Sequence, residues 1–79
     1  MPMTKLVGDI AKALVDRPEL VEVTEAGGER GARLVELSVD ESDLGRVIGK
    51  QGRTARSIRT VLGAAAVKQN ARFQLEILE

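Results

Sequence analysis

The sequence contains no cysteine and no histidine. Without cysteine, neither a disulfide nor a thiolate metal site can staple the chain. Without histidine, the commonest general base and the usual zinc ligand are both missing. Tryptophan and tyrosine are absent too, and Phe73 is the one aromatic residue. No apolar run approaches the roughly 20 residues a transmembrane helix requires. The opening Met1-Pro2-Met3-Thr4-Lys5 lacks the apolar stretch of a secretory signal. A cytoplasmic location is the expectation, with no membrane partner. With no paired carboxylates near the glycine-rich segment at 49–52 and no convincing nucleotide-binding loop either, the parts for catalysis are missing. No enzyme, metal or organic cofactor is expected.

Acid is also missing, but only from one half. The chain of 79 residues holds 12 Lys and Arg against 12 Asp and Glu, so its formal charge is zero. Residues 1–43 carry ten acids and five bases, whereas residues 44–79 carry seven bases against Glu76 and Glu79. From Leu44 to Leu75 there is no acid at all. Most charge runs are solvated surface, but an acid-free window this long suggests an anionic partner.

The length leaves room for one domain, expected to span residues 1–79, with a modest core. Leu6, Val7, Ile10, Ala11, Leu14 and Val15 recur at helical spacing. Thr4 can cap this helix, and Arg17-Pro18 closes it. Leu20–Thr24 reads as a strand, Ala26–Gly31 as a glycine turn, and Arg33–Val39 as a second strand with Val35, Leu37 and Val39 on one face. Asp40-Glu41-Ser42-Asp43 has the short polar and acidic residues of a helix start. Gly49 stops that helix, a longer one runs from about Arg53 to about Gln69, and Arg72–Ile77 alternates as a last strand. The order α-β-β-α-α-β predicts an α+β fold, a three-stranded sheet covered on one face by three helices.

Between the last two helices lies Gly49-Lys50-Gln51-Gly52. Two glycines let another backbone approach closely, and amides entering the long helix favour an anion. Lys50 and Arg53 add full charges. An isolated GxxG is more often a plain helix connection. Here the preceding Val47-Ile48 and the acid-free surroundings shift the balance. A nucleotide P-loop does not fit. Gly45 and Gly49 are separated by three residues instead of four, and Gln51 stands where Ser or Thr should be.

Val47-Ile48-Gly49-Lys50-Gln51-Gly52 resembles the "VIGxxG" signature of KH domains, which clamp about four nucleotides with a GXXG loop. The stretch Asp43–Ala66, and Leu14–Glu19 before it, are similar to the small single-KH bacterial proteins of the KhpA (YlqC) family. The resemblance implies a type II KH domain that binds single-stranded RNA as an RNA chaperone or post-transcriptional regulator. It also implies action with a larger KH-containing partner, KhpB (Jag or EloR), linked in some bacteria to cell elongation and peptidoglycan homeostasis. The RNA-binding residues it implies are Arg46, Val47, Ile48, Gly49, Lys50, Gln51, Gly52, Arg53 and Arg56. Leu44, Val47 and Ile48 are candidates for an apolar floor, with ordinary core the alternative for the last two. Lys68 and Arg72 flank a segment that can touch nucleic acid or stay solvated. With aromatic stacking unavailable, weak, salt-sensitive binding of low specificity by one copy is expected.

On the outer face of the long helix, Arg53, Arg56 and Arg59 give way to Thr60, Gly63, Ala64 and Val67. Small residues there suit a dimer interface, either with a second copy or with the KhpB-like partner. An alanine-rich helix of good propensity is the plainer account. The competing function is a KH fold used chiefly for dimerisation and partner recruitment, with little RNA contact of its own.

Overall fold

The first helix does not begin at its best capping residue. In a computed structural model, which describes residues 1–27 and 31–79, helix α1 spans Met3–Leu14. Pro2 takes the N-cap position, and its carbonyl accepts from the N–H groups of Lys5 and Leu6 at 3.1 and 3.2 Å. Thr4 therefore lies inside the helix and caps nothing. The reason is local: proline is preset for a helix entry. Starting at Met3 also lets Met3, Val7 and Ala11 bury one stripe, while Leu14 is left exposed.

Strand β1 runs Glu22–Gly27, later than the sequence suggests, because Pro18–Leu20 forms a single 3-10 turn. Most of the expected turn after it, Gly28–Arg30, lies outside the described residues. Strand β2 spans Arg33–Ser38 and β3 spans Phe73–Ile77. The sheet order is β1-β2-β3, with β1 antiparallel and β3 parallel to the central strand. Period-two alternation turns Val35, Leu37 and Leu75 inward, where all three are buried. The other face carries Glu22, Thr24, Glu36, Ser38, Gln74 and Glu76 and is left open.

Helix α2 is short, Leu44–Ile48, and α3 is long, Arg53–Lys68. Their buried residues Val47, Ile58, Leu62 and Ala66 join the α1 stripe and the inner strand residues in one core. The architecture is the expected α+β arrangement of three helices on one face of a mixed three-stranded sheet. Helix α3 ends on Asn70 in the left-handed conformation (φ 51°), and the Ala71 N–H returns to the Ala66 carbonyl at 3.0 Å. Among the described residues, no helix is long and apolar enough to cross a membrane.

Candidate nucleic-acid interface

The segment joining α2 to α3 is built from backbone that side chains ordinarily avoid. Gly49 has φ 76° and ψ 171°, a region essentially reserved for glycine. A Cβ there would lie 2.7 Å from the Thr54 Cβ and 2.8 Å from the Thr54 backbone nitrogen. Gln51 (φ 57°, ψ 27°) and Gly52 (φ 73°, ψ 14°) are both left-handed. The Gly49 N–H donates to the Gly45 carbonyl at 2.8 Å, ending α2. The Gly52 N–H donates to the Gly49 carbonyl at 3.1 Å, and the Arg53 N–H to the Lys50 carbonyl. These bonds tie the turn into one compact projection, with the side chains of Lys50, Gln51 and Arg53 exposed around it. Arg53 Nη2 donates to Gln51 Oε1 at 3.4 Å, and Arg56 is exposed one turn further on.

Two residues of the expected set are placed differently. Val47 is fully buried, so it supports the turn from below and offers nothing to a ligand. Arg46 is half exposed but already paired, its Nη2 lying 2.9 Å from Asp16 Oδ2 and its Nε 3.4 Å from Asp43 Oδ1. The acid-free window is thus a property of the sequence and not of the surface around Arg46.

Asp43 is the residue that sequence reasoning undervalued. It is 1% exposed. Its carboxylate accepts from the backbone N–H groups of Asp16 at 3.2 Å and Arg17 at 3.1 Å. It thereby fastens the exit of α1 to the entry of α2. The capping role expected of this segment falls to Asp40, which accepts from the Ser42 N–H at 3.1 Å and from the Ser42 hydroxyl. The Ser42 hydroxyl, then its N–H, hold the Asp40 carboxyl below the usual carboxylate range.

A groove starts at the turn and runs between α3 and β3. Its first hollow, about 410 Å³, is lined by Ile48, Gly52, Ala55 and Arg59 on one side and by Leu75, Glu76, Ile77 and Glu79 on the other. Ile48 is half-buried: it belongs to the core and also lines this hollow. The next hollow, about 490 Å³, shares Arg59, Leu75 and Glu76 and adds Gly63 and Phe73. Arg59 Nη2 spans the groove to the Leu75 carbonyl at 3.4 Å. The Arg72 carbonyl and the Leu78 N–H bond to β2, so the intervening odd-numbered residues of β3 turn their polar backbone groups to the opposite edge. That edge is the groove wall. Arg59, Leu75, Glu76, Ile77 and Glu79 were not among the expected binding residues. The helical signal for Arg59 was available, because Gly52, Ala55 and Arg59 share one side of α3. Nothing local signals that β3 lies opposite.

The remaining candidates divide between two surfaces. Gly63, Val67 and Arg72 line the far end of the groove. Ala64 and Lys68 lie on the other flank of α3, in a hollow of about 580 Å³ with Met1, Leu6 and Val61. The Thr60 hydroxyl is exposed and donates to the Arg56 carbonyl at 3.0 Å. Leu44 is half-buried.

Comparison with known proteins agrees with this architecture. Residues 4–77 match the family model for the KhpA/KhpB KH domain. The chain is 53% identical over 76 residues to RNA-binding protein KhpA of Clostridium acetobutylicum, covering 96% of this chain and 100% of that one. It is 48% identical over 75 residues to RNA-binding protein KhpA of Borreliella burgdorferi, covering 95% and 90%. Among solved structures it resembles Era in complex with MgGDPNP and a segment of 16S ribosomal RNA. The TM-score there is 0.66 at 20% identity, covering 98% of this chain and 30% of the Era chain, a likeness of fold. The turn, the groove beside it and a family match over nearly the whole length lead to one assignment: the chain belongs to the KhpA/KhpB KH-domain family.

Proposed function

We propose that this protein, acting as one KH domain over residues 1–79, binds single-stranded RNA without catalysis and serves as an RNA chaperone or post-transcriptional regulator. The observation that carries this reading is the Gly49–Gly52 turn, with Gly49 in a glycine-only conformation, Gln51 and Gly52 left-handed, and the side chains of Lys50 and Arg53 exposed. A sugar-phosphate backbone sits against the turn, where the amides of Lys50 and Gln51 and the two cationic side chains face it. Bases enter the groove between α3 and β3, four nucleotides being the usual span of such a loop. The relatives named RNA-binding protein KhpA support the ligand class. The family description, which joins KhpA to KhpB, supports joint action with a KhpB-like protein. A part in cell elongation and peptidoglycan homeostasis is the physiological extension of that partnership.

Replacing Lys50 and Gln51 together with aspartate tests the turn. Aspartate tolerates the left-handed conformation at position 51, so the fold should persist while phosphate is repelled. Fluorescence anisotropy with a labelled oligonucleotide should show binding reduced at least tenfold, with an unchanged circular dichroism spectrum. Lys50, Arg53 and Arg56 are exposed in and just after the turn, with no carboxylate paired to them among the described residues. The slope of log K against log salt should therefore be about −2, at roughly 0.7 per phosphate neutralised. Undiminished binding by the double variant would contradict the assignment.

A second reading, a module for protein association, is favoured by one observation. Met1 is 69% exposed and Val61 46% exposed around the hollow beside α1. Light scattering across a concentration series should then show self-association that Val61→Glu weakens. A strict monomer at all concentrations would leave only association with a different protein.

A further inference from the structure

Arg46 adjoins the turn but is occupied elsewhere. It precedes Gly49 by three residues on α2, so the two share one side of the helix, about 4.5 Å apart along its axis. Gly45 lies exposed on the same side, and a Cβ there would meet nothing within 4 Å. Its backbone is helical, so neither crowding nor conformation calls for glycine at this position. Bare helix surface therefore runs from the turn to the Arg46 side chain. Two carboxylates of different kinds hold the guanidinium. Asp43 is buried and takes Nε at 3.4 Å, while its oxygens are fixed by the backbone N–H groups of Asp16 and Arg17. Asp16 takes Nη2 at 2.9 Å from a side chain that is 71% exposed on the irregular segment after α1. Asp43 thus positions the guanidinium, and the exposed pair to Asp16 is of the weak kind that a side-chain rotation opens.

We infer, on the reading that RNA binds at the turn, that Gly45 and Arg46 form a further phosphate-binding position on α2 and that the Asp16 carboxylate fills it as an internal competitor. Lys50, Arg53 and Arg56 then hold a strand while Arg46 stays with Asp16, which keeps the affinity of one copy low. Gly45 leaves room for a sugar-phosphate backbone to lie against the helix between the turn and the guanidinium. A guanidinium donates to a phosphate oxygen as it does to a carboxylate, so exchanging one anion for the other leaves no donor unpaired. Removing the Asp16 charge opens the position to the phosphate next to those at the turn. Asp43 keeps its two backbone donors throughout, so the guanidinium needs no new support.

The test uses the intact chain and an all-uracil RNA octamer in anisotropy titrations over a series of salt concentrations. Asp16→Asn should bind about fivefold tighter than the wild type, the scale of one exposed ion pair. Its slope of log K against log salt should steepen by roughly 0.7, for one more phosphate neutralised. The fold should persist, because Asp16 joins Asp43 through its backbone N–H. Adding Arg46→Gln to Asp16→Asn restores the wild-type net charge and should return the affinity to within about twofold of the wild type, with the shallower slope. Glu19→Gln makes the same change of charge on the exposed Pro18–Leu20 turn and should shift affinity by less than about twofold. Wild-type affinity in Asp16→Asn, a gain that survives Arg46→Gln, or an equal gain from Glu19→Gln overturns the inference, and in each case the RNA-binding reading stands. Failure of the wild type and Asp16→Asn alike to bind the octamer overturns the RNA-binding reading and the inference with it.

Discussion

Gly49 and Gly52 look equivalent in the sequence, yet their surroundings set them apart. At Gly49 the backbone lies where only glycine is comfortable, and a Cβ would collide with the main chain of Thr54. At Gly52 the conformation is ordinary left-handed, and a Cβ would meet nothing within 4 Å. Gly49→Ala should therefore destabilise the protein by about 3 kcal/mol, combining strain with displacement of the start of α3. Gly52→Ala should cost about 1 kcal/mol, the usual penalty for alanine in that conformation. Urea denaturation of the two variants gives the ranking, and equal losses would contradict the distinction. The spacing of two glycines was legible in the sequence. That one of them bears the close contact was not, because Thr54 comes to face Gly49 only once the turn is folded.

Helix α2 has five residues, far too few to be stable alone. It is held by Val47 in the core and by the buried Asp43 at its entry. Asp43→Ala would leave two backbone N–H groups without their acceptor and Arg46 without one of its two carboxylates. The expected loss is about 3 kcal/mol by chemical denaturation, a large share of what a small domain possesses. A loss below about 1 kcal/mol would show that solvent replaces the carboxylate readily. The elements that the sequence announced best, α3, β2 and β3, are those whose apolar periodicity is satisfied by neighbouring layers. The start of β1 and the role of Asp43 were not announced. The first is displaced by the turn at Pro18–Leu20, and the second depends on partners 26 and 27 residues away.

For the whole molecule, the sequence divides charge by halves, and the fold redistributes it. Asp16 and Asp43 come to neutralise Arg46, and Glu76 and Glu79 come to line the groove that Arg59 crosses. What stays exposed and cationic at the turn is Lys50 and Arg53, with Arg56 close by. The location of the candidate site was therefore legible, and its composition only in part. Thr60, Gly63, Ala64 and Val67, the residues expected at a dimer interface, read as one stripe on a helical wheel. In the folded chain, Gly63 and Val67 border the groove while Ala64 borders the hollow beside Met1. The central claim, that a glycine-framed turn and the groove leading from it receive a single RNA strand, has a direct test. Amide chemical shifts should be mapped by NMR while a short single-stranded RNA is added. Shifts concentrated at Lys50–Arg53, Arg59 and Leu75–Ile77 are the predicted result. An undisturbed turn, with the changes falling instead on the open sheet face around Thr24 and Glu36, would contradict it.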